Sequence, residues 1–88
     1  MIKILRAELI ADYVIRLEFS DGTAGNCDLS DLVGRDAEMV RSLTDPAFFA
    51  DFFLEFGALC WSNGLELSAS SLYRKLSDHG ELQRANAA

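Results

Sequence analysis

One histidine and two cysteines carry the side chains of this sequence best suited to nucleophilic or metal chemistry. Cys27 and Cys60 lie far apart, and His79 stands beside Gly80 near the end of the chain. Structural zinc sites use pairs of ligands separated by only a few residues, and no such pair occurs in the sequence. A reactive thiol needs an electropositive neighbourhood, whereas both cysteines lie in apolar segments. We therefore expect two buried, reduced thiols and a solvated histidine.

Acidic side chains and glycines are frequent in the first half of the chain, where they could bind a cation or a phosphate. A calcium loop needs oxygen ligands at alternate positions and a final glutamate, and the acidic residues do not follow that pattern. The segment 22–25 contains two glycines but lacks the following lysine and helix start of a phosphate loop. We therefore expect no catalytic residue, no cofactor and no metal ligand, and interpret the protein as a non-enzyme.

The composition predicts one small globular domain with an acidic surface. The chain has 88 residues, 50% of them hydrophobic, and 8 Lys and Arg against 14 Asp and Glu give a net charge of −6. Chains divide into domains only at a few hundred residues. The acidic balance disfavours nucleic acid and permits a basic protein partner. Early charges interrupt any signal peptide, and no apolar run approaches the roughly 20 residues that cross a bilayer, so we expect a cytoplasmic protein.

Alternating apolar and polar residues over 3–10 and 13–20 predict two antiparallel strands. The charges favour the register that sets opposite charges across from each other on the solvent face, Glu8 with Arg16 and Arg6 with Glu18. That register pairs apolar residues on the other face, namely Leu9 with Ile15, Ala7 with Leu17 and Leu5 with Phe19. A three-residue loop over 20–22 then leads to a third strand with Cys27 opposite Ile15. The N-terminal part is therefore predicted as a three-stranded antiparallel meander.

Short helices follow the meander, and the fold class is therefore predicted as α+β. A helical turn ends at Gly34, a short helix covers 36–43, and a capping residue before Pro46 starts another helix. Ser68 is predicted to cap a C-terminal helix over 69–77, with its inward side chains at Leu72, Tyr73 and Leu76. We expect a single domain over 1–78 and a polar, disordered tail over 79–88.

The segment 52–56 is compatible with a helix or a strand, and its aromatic residues and the following Gly57 favour a strand. A second hairpin is predicted from the strands 58–62 and 65–67, joined by the dipeptide Asn63-Gly64. Asn-Gly is typical of a two-residue type I′ turn, because both central residues of that turn have a positive φ. A two-residue turn sets Cys60 opposite Leu67 in the two strands.

An ordered series of short motifs resembles a small bacterial family known only as a domain of unknown function (DUF2442). The motifs are Phe19-Ser20-Asp21-Gly22, Asp28-Leu29-Ser30, Leu43-Thr44-Asp45-Pro46, Trp61-Ser62-Asn63-Gly64-Leu65-Glu66-Leu67 and Leu72-Tyr73. The chain departs from the family pattern at Ser62, where proline is frequent, and has only Gly57 where some relatives have a longer connection. The resemblance implies a small α+β fold and no established activity. Some genes of the family lie beside genes for small toxin-like proteins, which suggests an antitoxin-like or adaptor role for those members.

The second hairpin also supplies the candidate interface residues. If Cys60 faces Leu67, then Leu59 and Trp61 point to the opposite face of the hairpin. A chain this short has difficulty burying both faces of every strand, so we expect a second subunit to cover Leu59 and Trp61 together with Phe53 and Phe56. Coverage by a helix of the same chain is the alternative.

The leading functional hypothesis is a non-catalytic protein-interaction module, antitoxin-like or an adaptor. It is expected to form a homodimer and to engage a basic protein encoded nearby, and it is not expected to bind a membrane or nucleic acid. The alternative is a small-ligand-binding domain, or an accessory subunit of an enzyme, with a pocket near Trp61 and Tyr73.

Overall fold

The computed structural model describes residues 1–85 and gives the chain an α+β fold with two antiparallel sheets. The first sheet has the strand order β1-β2-β3-β7, and the second has the order β4-β5-β6. The elements are β1 (Ile4–Ala11), β2 (Val14–Phe19), β3 (Thr23–Asp28), α1 (Ser30–Val33), α2 (Glu38–Arg41), a 3-10 turn (Ser42–Thr44), α3 (Pro46–Ala50), β4 (Phe53–Glu55), β5 (Ala58–Cys60), β6 (Glu66–Leu67), α4 (Ala69–Asp78) and β7 (Gln83–Arg84).

The predicted meander and its charge register are confirmed in β1, β2 and β3. Glu8 lies opposite Arg16 and Arg6 opposite Glu18, with Arg6 Nε 3.7 Å from Glu18 Oε2. One predicted pair is wrong, because β1 has a bulge at Leu5 that makes Ile4 the partner of Phe19. Ile4 is therefore buried, whereas Leu5 is 61% exposed.

The helices begin and end close to the predicted positions. Asp45 caps α3 by accepting a hydrogen bond from Ala47 N at 3.1 Å, and Pro46 occupies the first helical position. Ser68 caps α4 in the same way through Ser71 N. The helix predicted over 36–43 is shorter, since only Glu38–Arg41 is α-helical before the 3-10 turn. In the described part of the chain no helix is long and apolar enough to cross a membrane.

The segment predicted as a disordered tail has a defined path as far as Ala85. Gln83–Arg84 forms β7 on the edge of β3, and Ala85 N donates to Gly22 O at 2.8 Å. Edge pairing of this kind satisfies backbone groups of β3 that would otherwise face solvent. Residues 86–88 of the predicted tail lie outside the described residues.

The second hairpin is present, but its predicted register is wrong by one residue. Leu59 pairs with Leu67 and Cys60 pairs with Glu66, because the loop contains three residues, 62–64, rather than two. Trp61 N donates to Leu65 O at 3.0 Å and closes that loop. Among the loop residues only Gly64 has a positive φ, so the turn is not of type I′.

A single core lies between the first sheet and the elements that follow it. Buried side chains come from β2, the 3-10 turn, α3, α4, β5 and the residue that follows β5, and they include Ile15, Leu17, Phe19, Leu43, Phe49, Leu59, Trp61, Leu72 and Leu76. The core explains why Cys27 packs as an apolar side chain in β3. It leaves most of β1 beyond Ile4 and the turn between β4 and β5 at the periphery.

Candidate interaction surface

Two of the four predicted interface residues are buried inside the molecule. Leu59 is 0% and Trp61 2% exposed, so neither side chain can contact a second subunit. The indole Nε1 of Trp61 donates to Phe49 O at 2.9 Å, and the two rings lie 5.7 Å apart. The alternative, in which a helix of the same chain covers this face, is therefore the observed one. The error follows from the one-residue register shift of the hairpin.

The other two predicted interface residues are at the surface. Phe53 is 42% exposed, and Phe56 is 94% exposed at the turn between β4 and β5. Burying a phenylalanine side chain contributes about 1.5–3 kcal/mol, so a nearly fully exposed one adds nothing to the core of a small protein. An exposed aromatic anchor is instead typical of a contact surface.

The backbone at Phe56 is strained. Phe56 has φ 52° and Gly57 has φ 79°, so both central residues of this two-residue turn are left-handed. Glycine and asparagine adopt that conformation readily, whereas for a bulky side chain it costs about 1–2 kcal/mol. A strained residue of this kind persists only where the surrounding structure fixes it.

Contacts of Gly57 fix the turn against the start of β1. Ile4 N donates to Gly57 O at 2.9 Å. A Cβ atom at Gly57 would lie only 2.7 Å from Lys3 Cβ, so glycine is required by space as well as by φ. Together these contacts hold the Phe56 ring outward at one end of β1.

The strand β1 is itself an exposed edge with apolar side chains. It is the terminal strand of its sheet, and Leu5, Leu9 and Ile10 are 61%, 41% and 44% exposed. Unpaired edge strands present free backbone groups that other strands can bind. We call the set of Leu5, Leu9, Ile10, Phe53 and Phe56 the edge surface.

Of the most reactive side chains, Cys27 and His79 lie outside the edge surface, whereas Cys60 is buried in β5 directly opposite Phe53 of β4. Burial raises the pKa of the Cys27 thiol, and it also raises the pKa of Cys60, with a further contribution from the charges of Glu66 and Glu55. Both thiols are free. Nδ1 of His79 lies 2.7 Å from Lys75 O at the end of α4, where it satisfies a terminal helix carbonyl.

A polar groove that the sequence did not reveal lies between α1 and α4. Its volume is about 240 Å³, and its lining includes Asp28, Asp31, Lys75, His79 and Glu81. Hydrogen bonds from the Ser30 hydroxyl and amide lower the pKa of Asp28, and Lys75 Nζ donates to Asp28 O at 2.9 Å. These bonds fix the start of α1, and the Asp-Leu-Ser spacing is their sequence signal.

Tyr73 and Trp61, which the ligand-binding alternative placed around one pocket, have different neighbours. Tyr73 packs edge-on against Phe19 at 5.1 Å and donates from its hydroxyl to Asp21 Oδ2 at 2.7 Å. Trp61 packs against Phe49 and Phe52 instead. The geometry therefore does not favour a shared binding pocket.

The family model described as "Protein of unknown function (DUF2442)" matches residues 4–77 of the chain. The chain belongs to this family. The matched residues run from the start of β1 to α4 and include the whole edge surface. No curated protein and no solved structure matches the chain. Membership agrees with the family that the motif series resembles, and it assigns no activity.

Proposed function

We propose that this DUF2442 protein is a non-catalytic protein-interaction module that self-associates through the edge surface. The observation that carries the proposal is Phe56, which combines 94% exposure with a left-handed backbone. Glycine or asparagine would relieve the strain and remove an apolar side chain from water. Burial of the ring in a complex would explain the presence of phenylalanine at such a position.

The placement of the nucleophilic side chains supports the non-catalytic part of the proposal. A catalytic cysteine acts as a thiolate, which the raised pKa of Cys27 and of Cys60 disfavours. The sole histidine lies against a backbone carbonyl of α4. The proposed location is the cytoplasm, where buried thiols remain reduced.

The net charge of −6 favours a basic protein as a second, different partner. The sharper form of this proposal is an antitoxin-like or adaptor role toward a small basic protein encoded nearby. Co-expression with the products of adjacent genes, followed by pull-down at low and high salt, tests it. A salt-sensitive complex is expected, and failure of every adjacent product to bind would exclude this form without affecting self-association.

Sedimentation equilibrium of the full chain tests self-association. The wild-type protein is expected to dimerise at micromolar concentrations, and a monomer throughout that range would refute the proposal. Phe56→Ser is expected to weaken dimerisation about tenfold or more, because an aromatic anchor that is buried on association contributes at least that much. Met39→Ser is the matched control, since Met39 is 43% exposed on α2, outside the edge surface. An equal effect of both substitutions would also contradict the proposal.

A further inference from the structure

We infer that the occupant of the edge surface is a second copy of the chain, bound through antiparallel pairing of the two β1 strands about a two-fold axis. This inference rests on the proposed self-association and specifies its geometry. In this pairing, Ala7 of one copy lies opposite Ala7 of the other. Arg6 then lies opposite Glu8, and Leu5 lies opposite Leu9.

The free part of the β1 edge, from Leu5 to Ala11, is long enough for this register. Within residues 1–85, the hydrogen bond from Ile4 N to Gly57 O is the only backbone bond from β1 to an element other than β2. The remaining edge begins at Leu5. A symmetric pairing that begins at Leu5 and is centred on Ala7 ends at Leu9 of the second copy. The pairing therefore stops where Gly57 already occupies the edge, without displacing that bond.

Several registers place the solvent-face residues of one β1 strand opposite the solvent-face residues of the other. The charges on β1 favour the register centred on Ala7 among them. Arg6 and Glu8 lie on the solvent face, and the Arg6 side chain is 73% exposed. Pairing about Ala7 sets Arg6 of each copy opposite Glu8 of the other. A shift of the axis to Arg6 or to Glu8 would set two arginines or two glutamates opposite each other. In the chosen register each charge lies between two opposite charges, since Arg16 and Glu18 flank the row on β2.

The apolar side chains of the edge surface fit the same register. Leu5 of one copy lies opposite Leu9 of the other, which places the two exposed leucines side by side. Ile10, which is 44% exposed, follows the paired stretch and comes next to Ile4 of the second copy, at the turn that carries Phe56. The register thus supplies the Phe56 ring with an apolar neighbour.

Charge exchange across the two-fold axis tests the register by sedimentation equilibrium. Arg6→Glu alone sets like charges opposite each other twice in the dimer and is expected to weaken dimerisation about tenfold. Arg6→Glu combined with Glu8→Arg is expected to restore dimerisation to within about threefold of wild type. The double variant is also expected to unfold more easily, because both residues then repel their partners on β2. Failure of the double variant to restore dimerisation would overturn the register.

Cross-linking provides a second readout that does not depend on affinity. Pairing about Ala7 brings the Cα atoms of the two Ala7 residues within about 5.5 Å of each other. Ala7→Cys is therefore expected to form an intermolecular disulfide under mild oxidation. Ala11→Cys is the control, because the two substituted residues of the dimer would lie roughly 27 Å apart along the paired strands. Wild-type Cys27 and Cys60 are buried and provide the background. Equal or faster cross-linking of Ala11→Cys would overturn the register, whereas a monomeric wild type would overturn the proposed function itself.

Discussion

The two turns of the β4-β5-β6 sheet differ in how their backbone conformation relates to their residue types. The β4–β5 turn holds Phe56 in the left-handed conformation and leaves the ring in solvent. The following loop contains Asn63, a residue type that adopts the left-handed conformation readily. Asn63 nevertheless does not have a positive φ. Asn63 instead donates from Nδ2 to Met39 O at 2.8 Å and accepts at Oδ1 from Leu65 N at 3.1 Å.

The difference separates structural from functional reasons for a residue at a turn. At Asn63, a bond to α2 within the same chain stabilises the fold and explains the departure from a type I′ turn. At Phe56, no stabilising burial accompanies the strained backbone in the described structure. Asn63 therefore contributes to the stability of the fold, and the proposed role of Phe56 is in association. Substitutions at the two turns can separate these roles.

The largest effect is expected for Gly57→Ala. The new methyl group meets Lys3 Cβ at 2.7 Å, and φ 79° disfavours alanine, so the free energy of unfolding should fall by about 2–4 kcal/mol. Urea denaturation measures the change. The control is Gly22→Ala, where φ is +87° but no atom lies within 4 Å of the added methyl group. Equal losses at the two glycines would show that the contact with Lys3 is unimportant.

Asn63→Ala is expected to lower the free energy of unfolding by about 1–2 kcal/mol, because it removes both side-chain bonds of the loop. Dimerisation should be unchanged after allowance for the unfolded fraction. Asn26→Ala, at an exposed position of β3, is the control and should change stability by less than about 0.5 kcal/mol. A specific loss of dimerisation in Asn63→Ala would break the distinction between the two turns.

Phe56→Asn is expected to raise the free energy of unfolding of the monomer by about 0.5–1 kcal/mol. Asparagine tolerates the left-handed conformation, and the substitution removes no buried contact. Urea denaturation at concentrations below the dimerisation range isolates this effect. Destabilisation of the monomer would mean that the Phe56 ring contributes to the fold.

A third turn, at 20–22, is stabilised by side-chain hydrogen bonds within the chain. Its expected effect, the smallest of those considered, is on the pH dependence of the free energy of unfolding. Hydrogen bonds from Thr23 and then Tyr73 lower the pKa of Asp21 below its ordinary 3.8, so this stabilisation is present above pH 3.8 and is lost as pH falls through the lowered pKa. The same bond to Asp21 raises the pKa of Tyr73 above 10.0, so its stabilisation is lost as pH rises through the raised pKa.

Tyr73→Phe should therefore remove part of the acid dependence of the unfolding free energy and flatten its alkaline decrease. Thr23→Val should flatten the acid side more, because Thr23 is the larger cause of the Asp21 shift. Denaturation curves across the two pH ranges measure these changes. An unchanged profile in both variants would exclude the role of these hydrogen bonds.

The sequence predicted the parts of the fold in which local patterns and burial agree. Opposite charges at Glu8 and Arg16 determined the register of β1 and β2, and the Asp45-Pro46 pair determined the start of α3. The bulge at Leu5 was missed, because a strictly alternating pattern contains no signal for one extra residue. The charged residues beside it were still paired correctly.

The sequence identified two of the four candidate interface residues as exposed, and the error at the other two comes from one turn. The Asn-Gly preference for a two-residue turn gave the wrong register, and this shift placed Leu59 and Trp61 on the surface rather than in the core. A tertiary bond to Met39, which no local pattern encodes, lengthened the loop. The exposed Phe56 was identified, but its strained backbone was visible only in the structure.

The most direct test combines two measurements on Phe56→Asn. The unfolding free energy of the monomer and the dimer dissociation constant are determined on the same preparation by urea denaturation and sedimentation equilibrium. The unfolding free energy of the monomer is expected to rise, and the dimer is expected to be weakened about tenfold or more. An unchanged dissociation constant together with a more stable monomer would contradict the assignment of Phe56 to the interface.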